Sequence, residues 1–175
     1  MLQIGLLEIT RASTIDFKKN NYFGAIVLGA YGLFWIAVSM HWAISQGWLG
    51  TVDPAKADPK QLAFACFGYF FFSIFIMIAS FEANKVFAAI LVLINVLLPS
   101  LGLSILGVSP EIFSPAAAWS ELGISLLGFY AAGAIFLNNF FGRTVLSLGK
   151  PFGWIRKGPA LTPQQAAGAP LKAAA

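Results

Sequence analysis

The sequence predicts an all-α membrane protein, a bundle of four transmembrane helices. Hydrophobic residues make up 58% of the 175 residues and charged residues only 10%, whereas a soluble domain is about one quarter charged. Four apolar stretches are each long enough to cross the roughly 30 Å hydrocarbon core of a bilayer as a helix. Polar segments separate them, and the predicted spans are residues 22–44, 61–81, 86–106 and 119–141.

The first span is not uniformly apolar. Gly24, Gly29 and Gly32 leave little side-chain bulk, and small residues on a transmembrane helix are typical of close packing against another backbone. Tyr31 places a hydroxyl near the middle of the span, where a polar group must find a partner or line a wet path. We therefore interpret this helix as the wall of a conduit.

The other spans carry few polar groups. Asn95 and Pro99 lie inside the third span, and Pro99 is expected to kink it because proline removes a backbone donor. Residues 107–118 contain two prolines and are predicted to form a loop before the fourth span. Glu121 lies near one end of that span.

The regions outside the spans predict the topology. Residues 1–21 suggest a partial or interfacial helix and a basic lead-in, 22–149 form the transmembrane domain, and 150–175 are basic, rich in Pro and Ala, and expected to be disordered. With four spans both termini share one side, and that side carries nearly all Lys and Arg residues. The positive-inside rule then places both termini in the cytoplasm of a multi-pass protein in the inner (plasma) membrane.

The charge and the reactive residues exclude several functions. The net charge of +4 is explained by topology and by contact with the lipid bilayer, so no nucleic-acid partner is predicted. The one cysteine, Cys66, and the one histidine, His41, lie in different segments. No paired carboxylates, phosphate-binding loop or metal-ligand spacing is present, and we predict no enzyme activity, no cofactor and no metal.

Four patches of sequence, in order, resemble the acetate uptake transporter family, the succinate–acetate/proton symporters. They are FKKNNYFG at 17–24, YGLFW at 31–35, FSIFIMIASFEANKV at 72–86 and FGRTVLSLG at 141–149. The resemblance implies a hexameric ring of six-helix protomers, each with its own narrow path. This chain would correspond to the last four helices and would lack the N-terminal two. It also implies a proton-linked transporter or channel for acetate and similar small carboxylates.

The resemblance also marks candidate path residues. Tyr31 falls at the family's constriction tyrosine, and Ile94 falls at the matching leucine of the family's fifth helix. A tyrosine hydroxyl can donate to a carboxylate while its ring narrows the passage. Asn95, beside Ile94, is a candidate to donate its amide hydrogens to a passing anion. The alternatives are a Tyr31 hydroxyl bonded to nearby backbone and an interhelical hydrogen bond from Asn95.

Two titratable residues are candidates for a proton-linked role. His41 can change charge near neutral pH, and Glu121 is the one carboxylate within the fourth span. Both have tryptophan neighbours, which also fits simple placement at the membrane interface. The motif of Phe141, Gly142 and Arg143 is interpreted as structural, ending the last helix and anchoring it at the headgroups.

Two other interpretations stay open. The chain could be a non-transporting structural subunit of a larger membrane complex, or a truncated transporter fragment. The sequence does not identify the substrate, the coupling ion or the number of subunits. It also does not show whether residues 1–16 enter the bilayer.

Overall fold

Four long helices dominate the computed structural model, which describes residues 11–50, 52–155 and Gly158. A short 3₁₀ turn, Pro54–Lys56, lies in the first loop, and residues 11–18 form a helical segment ahead of the first long helix. The long helices are α1, Tyr22–Ser45; α2, Pro59–Ser80; α3, Lys85–Ile105; and α4, Pro110–Phe141. All four are long and apolar enough to cross a membrane, so the predicted fold class is confirmed. Residues 1–10, part of the predicted lead-in, lie outside the described residues.

Local capping chemistry explains where three of these helices begin. The side chains of Asn21, Asp58 and Asn84 accept hydrogen bonds from backbone N–H groups in the first turns of α1, α2 and α3. Such caps satisfy donors that have no partner inside the helix. The starts of α1, α2 and α3 lie within two residues of the predicted spans.

The fourth helix is longer than predicted, since it begins at Pro110 rather than at residue 119. Pro110 occupies the first turn, where its missing N–H costs nothing and its fixed φ favours the helix. Pro115 lies inside the same helix, so the segment that we expected to be a loop is mostly helical. The prolines therefore mark the beginning of α4 and not a break before it.

The α3 helix is the centre of the packing. Its backbone approaches both α2 and α4, whereas the backbone of α1 approaches α2 but stays apart from α3 and α4. Long side chains bridge that separation in two buried clusters. One contains Phe34, Val38, Leu62, Cys66 and Leu98, and the other contains Val27, Ile76, Ile90 and Leu91. The wide spacing between α1 and α3–α4 is what leaves room for a cavity.

Two glycines of α1 face the helical segment 11–18. A Cβ at Gly29 would lie 2.8 Å from the Ser13 hydroxyl oxygen, and that hydroxyl donates to the Ala25 carbonyl at 2.6 Å. Gly24 is similarly crowded by Asp16 and Asn21. These two glycines therefore make room for side chains of the preceding residues, and no backbone atom of the described residues is among their near neighbours, whereas Gly32 lines the cavity described below.

The start of α1, the α2–α3 turn and the end of α4 share one end of the bundle, which we call the turn end. The opposite end, with the α1–α2 and α3–α4 connections, is the loop end. After α4, residues 142–155 run across the turn end, and we call this segment the strap.

Several hydrogen bonds and ring contacts hold the strap, among them the bond from the Tyr130 hydroxyl to the Ser147 carbonyl and the packing of Phe81 on Phe152 and Trp154. The Asn138 side chain of α4 bonds the Val145 and Leu146 N–H groups and the Leu146 carbonyl. The Val86 N–H donates to the Leu148 carbonyl, and the Phe152 N–H donates to the Phe81 carbonyl. Residues 150–155, which the sequence analysis assigns to the tail, pack on the α2–α3 turn. Residues 156, 157 and 159–175 of that tail lie outside the described residues.

Candidate functional site

An apolar cavity of about 480 Å³ lies between α1, α3 and α4. Tyr31, Ile94 and Glu121 each contribute to its wall, one from each helix. Most of the remaining wall is aliphatic or aromatic, from residues such as Val27, Leu28, Phe34, Trp35, Trp42, Phe87, Leu91, Leu97, Leu98 and Ile124. The cavity is therefore a mostly hydrophobic space with few polar groups, which is typical of small-ligand sites.

Tyr31 brings a hydroxyl to this wall. Its oxygen lies 2.6 Å from the hydroxyl oxygen of Ser73 on α2. The ring is half-buried and lies near those of Tyr69 and Phe72. The phenol is thus fixed by packing on one side and by a hydrogen bond at its tip, and it is not bonded simply to its own backbone.

Asn95 stands behind this wall instead of lining it. Its amide nitrogen donates to the Leu91 carbonyl at 2.8 Å and to the Ser73 hydroxyl at 3.0 Å. Both amide hydrogens therefore form hydrogen bonds within the protein. The structure contains the interhelical hydrogen bond that the sequence analysis gave as the alternative for Asn95. The expected donation from Asn95 to a passing anion does not match this geometry.

The two candidate proton-linked residues differ in position. Glu121 is exposed and lies on the cavity wall near Trp42 and Ser125. His41 is half-buried on α1 and is not among the residues of the cavity wall. The structure therefore brings one of the two predicted groups to the cavity and leaves the other apart from it.

A second cavity, of about 840 Å³, opens at the turn end. Val27, Leu28 and Phe87 line both cavities, and the Phe87 ring packs edge-on against Phe23 at 5.9 Å. These shared side chains lie between the two spaces, and we call them the neck. The lining of the second cavity includes the polar residues Asp16, Asn21, Glu82 and Asn84, and Ile155 of the strap also lines it.

The sequence alone does not distinguish two residues of this arrangement. Ser73 is one of several serines in the spans, yet it is fully buried and links Tyr31 to Asn95. Phe87 was not singled out, although it lies at the neck. A serine in an apolar span and a phenylalanine beside a helix cap are common patterns, so only their neighbours in space distinguish them.

The predicted structural motif lies at the end of α4. Phe141 is the last helical residue, and Gly142 follows it with φ of 61°. This left-handed conformation favours glycine and is a common way to end a helix. Arg143 is exposed at the start of the strap. Among the described residues, no three His, Cys, Asp or Glu side chains are grouped so as to hold a metal ion.

Four membrane-length helices, three of which surround an apolar cavity, indicate a multi-pass membrane protein of the transporter or channel class. Residues 1–149 match the model of the GPR1/FUN34/yaaH family, and the chain belongs to that family. The sequence resemblance to acetate uptake transporters is thereby confirmed.

Individual relatives agree with this assignment. The succinate-acetate/proton symporter SatP of Escherichia coli K12 is 26% identical over 139 residues, which cover 79% of this chain and 71% of SatP. A Methanothermobacter thermautotrophicus protein is 30% identical over 96 residues, or 53% of this chain and 47% of that protein. The solved structure of the bacterial acetate channel SatP matches with a TM-score of 0.71 and 25% identity, over 82% of this chain and 76% of that one.

Proposed function

We propose that this protein is a channel-like transporter for acetate and similar small carboxylates, with passage linked to protons. The observation that carries the proposal is the Tyr31 hydroxyl on the wall of an otherwise apolar cavity. Support also comes from family membership and from the similarity to a succinate-acetate/proton symporter.

The proposed path runs from the loop end to the turn end. A solute enters beside Trp42 and Glu121, passes between Tyr31 and Ile94, and crosses the neck at Phe87 into the second cavity. Among the described residues that line the first cavity, none is basic. A bare carboxylate would be poorly solvated there, because burying an unpaired charge is costly. Passage as the neutral acid, or as the anion with a proton, avoids this cost, and Glu121 is positioned to exchange such a proton at the entrance.

The proposal extends to assembly and location. Several large side chains of α4 are exposed, including Phe129, Phe136 and Phe140, and such a surface suits lipid or a second subunit. We propose a homo-oligomer, hexameric as the family resemblance implies, in the inner membrane with both termini in the cytoplasm. We propose no enzymatic reaction.

Single-cysteine labelling tests the orientation. In a Cys66→Ala background, Ala55→Cys at the loop end should react with a membrane-impermeant maleimide added to intact cells. Lys150→Cys in the strap should react only after the cells are lysed. The opposite pattern would reverse the proposed topology.

Uptake of labelled acetate into proteoliposomes tests the transport proposal. We expect saturable uptake that increases as the external pH falls and that unlabelled acetate inhibits. Tyr31→Ala should abolish selectivity or uptake, whereas Phe129→Ala, at an exposed position of α4, should behave like the wild type. Folded wild-type protein that shows no uptake, and that instead co-purifies with a larger complex, would support the structural-subunit interpretation and refute ours.

A further inference from the structure

We propose that Asn95 and Ser73 form a directed hydrogen-bond relay that makes Tyr31 a hydrogen-bond donor into the cavity. The inference rests on the proposed function and adds two positioning residues to it. Neither residue lines the cavity; they act by deciding which way the Tyr31 proton points. The site would then select solutes that present a hydrogen-bond acceptor, such as a carboxylate or carboxyl oxygen.

The first donor of the relay is Asn95. Its amide nitrogen lies 2.8 Å from the Leu91 carbonyl oxygen, 3.0 Å from the Ser73 hydroxyl oxygen and, less closely, 3.3 Å from the Ser73 carbonyl oxygen. Rotating the amide by half a turn would place two acceptors, the Asn95 Oδ1 and the Leu91 carbonyl, against each other. In the structure Oδ1 is buried without a hydrogen-bond partner. The amide keeps its orientation at that cost, so Asn95 donates to Ser73.

Ser73 continues the relay to Tyr31. Ser73 is fully buried, and its hydroxyl oxygen already accepts a hydrogen bond from Asn95. The hydroxyl proton of Ser73 therefore needs an acceptor. The Tyr31 oxygen, 2.6 Å away, is available. If Tyr31 donated instead, either the Ser73 proton would be left unpaired, or the hydroxyl would turn to its own helix and give up the bond from Asn95; both leave a buried donor without a partner, which is unfavourable.

A comparison with other serines supports this assignment. Ser39, Ser80 and Ser120 each donate to a carbonyl three or four residues earlier in their own helix, as helical serines commonly do. Ser73 bonds across helices instead. With the Tyr31 oxygen accepting from Ser73, the phenolic proton is left for an occupant of the cavity.

The relay predicts a specific coupling between two sites. Asn95→Leu removes the donor to Ser73, so Ser73 can donate to its own helix and accept from Tyr31, which turns the phenolic proton away from the cavity. We expect the KM for acetate to rise up to about tenfold in Tyr31→Phe, the loss expected for a hydrogen bond between neutral groups. Asn95→Leu should give a similar rise. In the Tyr31→Phe background, Asn95→Leu should cause no further rise in the KM for acetate.

Matched variants separate positioning from folding. Asn139→Leu, at an exposed asparagine of α4, should leave the KM unchanged. Ser73→Ala should raise the KM only when Tyr31 is present, whereas Ser80→Ala, at an equally buried serine, should not raise it. Equal effects of Asn95→Leu or Ser73→Ala in the wild-type and Tyr31→Phe backgrounds would overturn the relay.

An infrared measurement keeps the inference testable if the wild type transports no acetate, a result that would refute the proposed function alone. The C–O stretch of Tyr31, isolated as the difference from Tyr31→Phe, reports whether the phenol accepts or donates. We expect an accepting phenol in the wild type and a donating one in Asn95→Leu. The same band position in both proteins would refute the relay whatever the transport result.

Discussion

Replacing Asn138 with leucine should release the strap from the turn end. The Asn138 side chain makes hydrogen bonds of 2.6 and 3.0 Å with the Val145 and Leu146 N–H groups and of 2.8 Å with the Leu146 carbonyl. Each is worth about 1 kcal/mol when it replaces a bond to water. Because Val145 is exposed and water can partly compensate, we expect a loss of about 2 kcal/mol, or roughly a thirtyfold rise in the detached population.

Limited trypsin digestion in detergent measures this population. Arg143, followed by Thr144, is an exposed tryptic site at the start of the strap, and cleavage tracks the open fraction when the strap opens and closes quickly. Asn138→Leu should therefore be cut about thirty times faster at Arg143. Asn139→Leu, the neighbouring exposed position, should be cut like the wild type. Equal cleavage of the two variants would refute the assignment of Asn138 as the anchor of the strap.

Two further substitutions test the neck and the packing of the helices. Phe87→Ala should widen the neck and raise propionate uptake relative to acetate uptake by up to about tenfold, the scale of one methylene in a hydrophobic pocket. Phe129→Ala should leave this ratio unchanged. An unchanged ratio in Phe87→Ala would contradict the role of Phe87 at the neck. Gly102→Val should lower the Tm by overpacking, at a cost of about 1–3 kcal/mol, because a Cβ there already lies 3.0 Å from the Phe67 ring and 3.3 Å from the Ala63 carbonyl oxygen. Gly128→Val meets open space and should change the Tm much less, so equal losses would show that helix propensity and not packing is responsible.

The helical elements could be predicted from the sequence because their cause is local. A membrane-length run such as residues 86–106 has one stable way to satisfy its backbone in lipid, which is a helix. The exceptions arose where local signals were ambiguous. Pro110 can either interrupt a helix or begin one. The strap residues 150–155 resemble a polar tail in sequence, and only their contacts with the α2–α3 turn show that they are packed.

The sequence by itself determined that this is a four-span membrane protein and marked Tyr31 as a candidate wall residue, because composition, span length and short motifs are properties of the chain. Only the tertiary structure decided how the polar groups are used. It placed Ser73 between Tyr31 and Asn95, brought Glu121 and not His41 to the cavity, and put Phe87 at the neck. These roles depend on distances between helices, and those distances are set by packing between residues far apart in the chain.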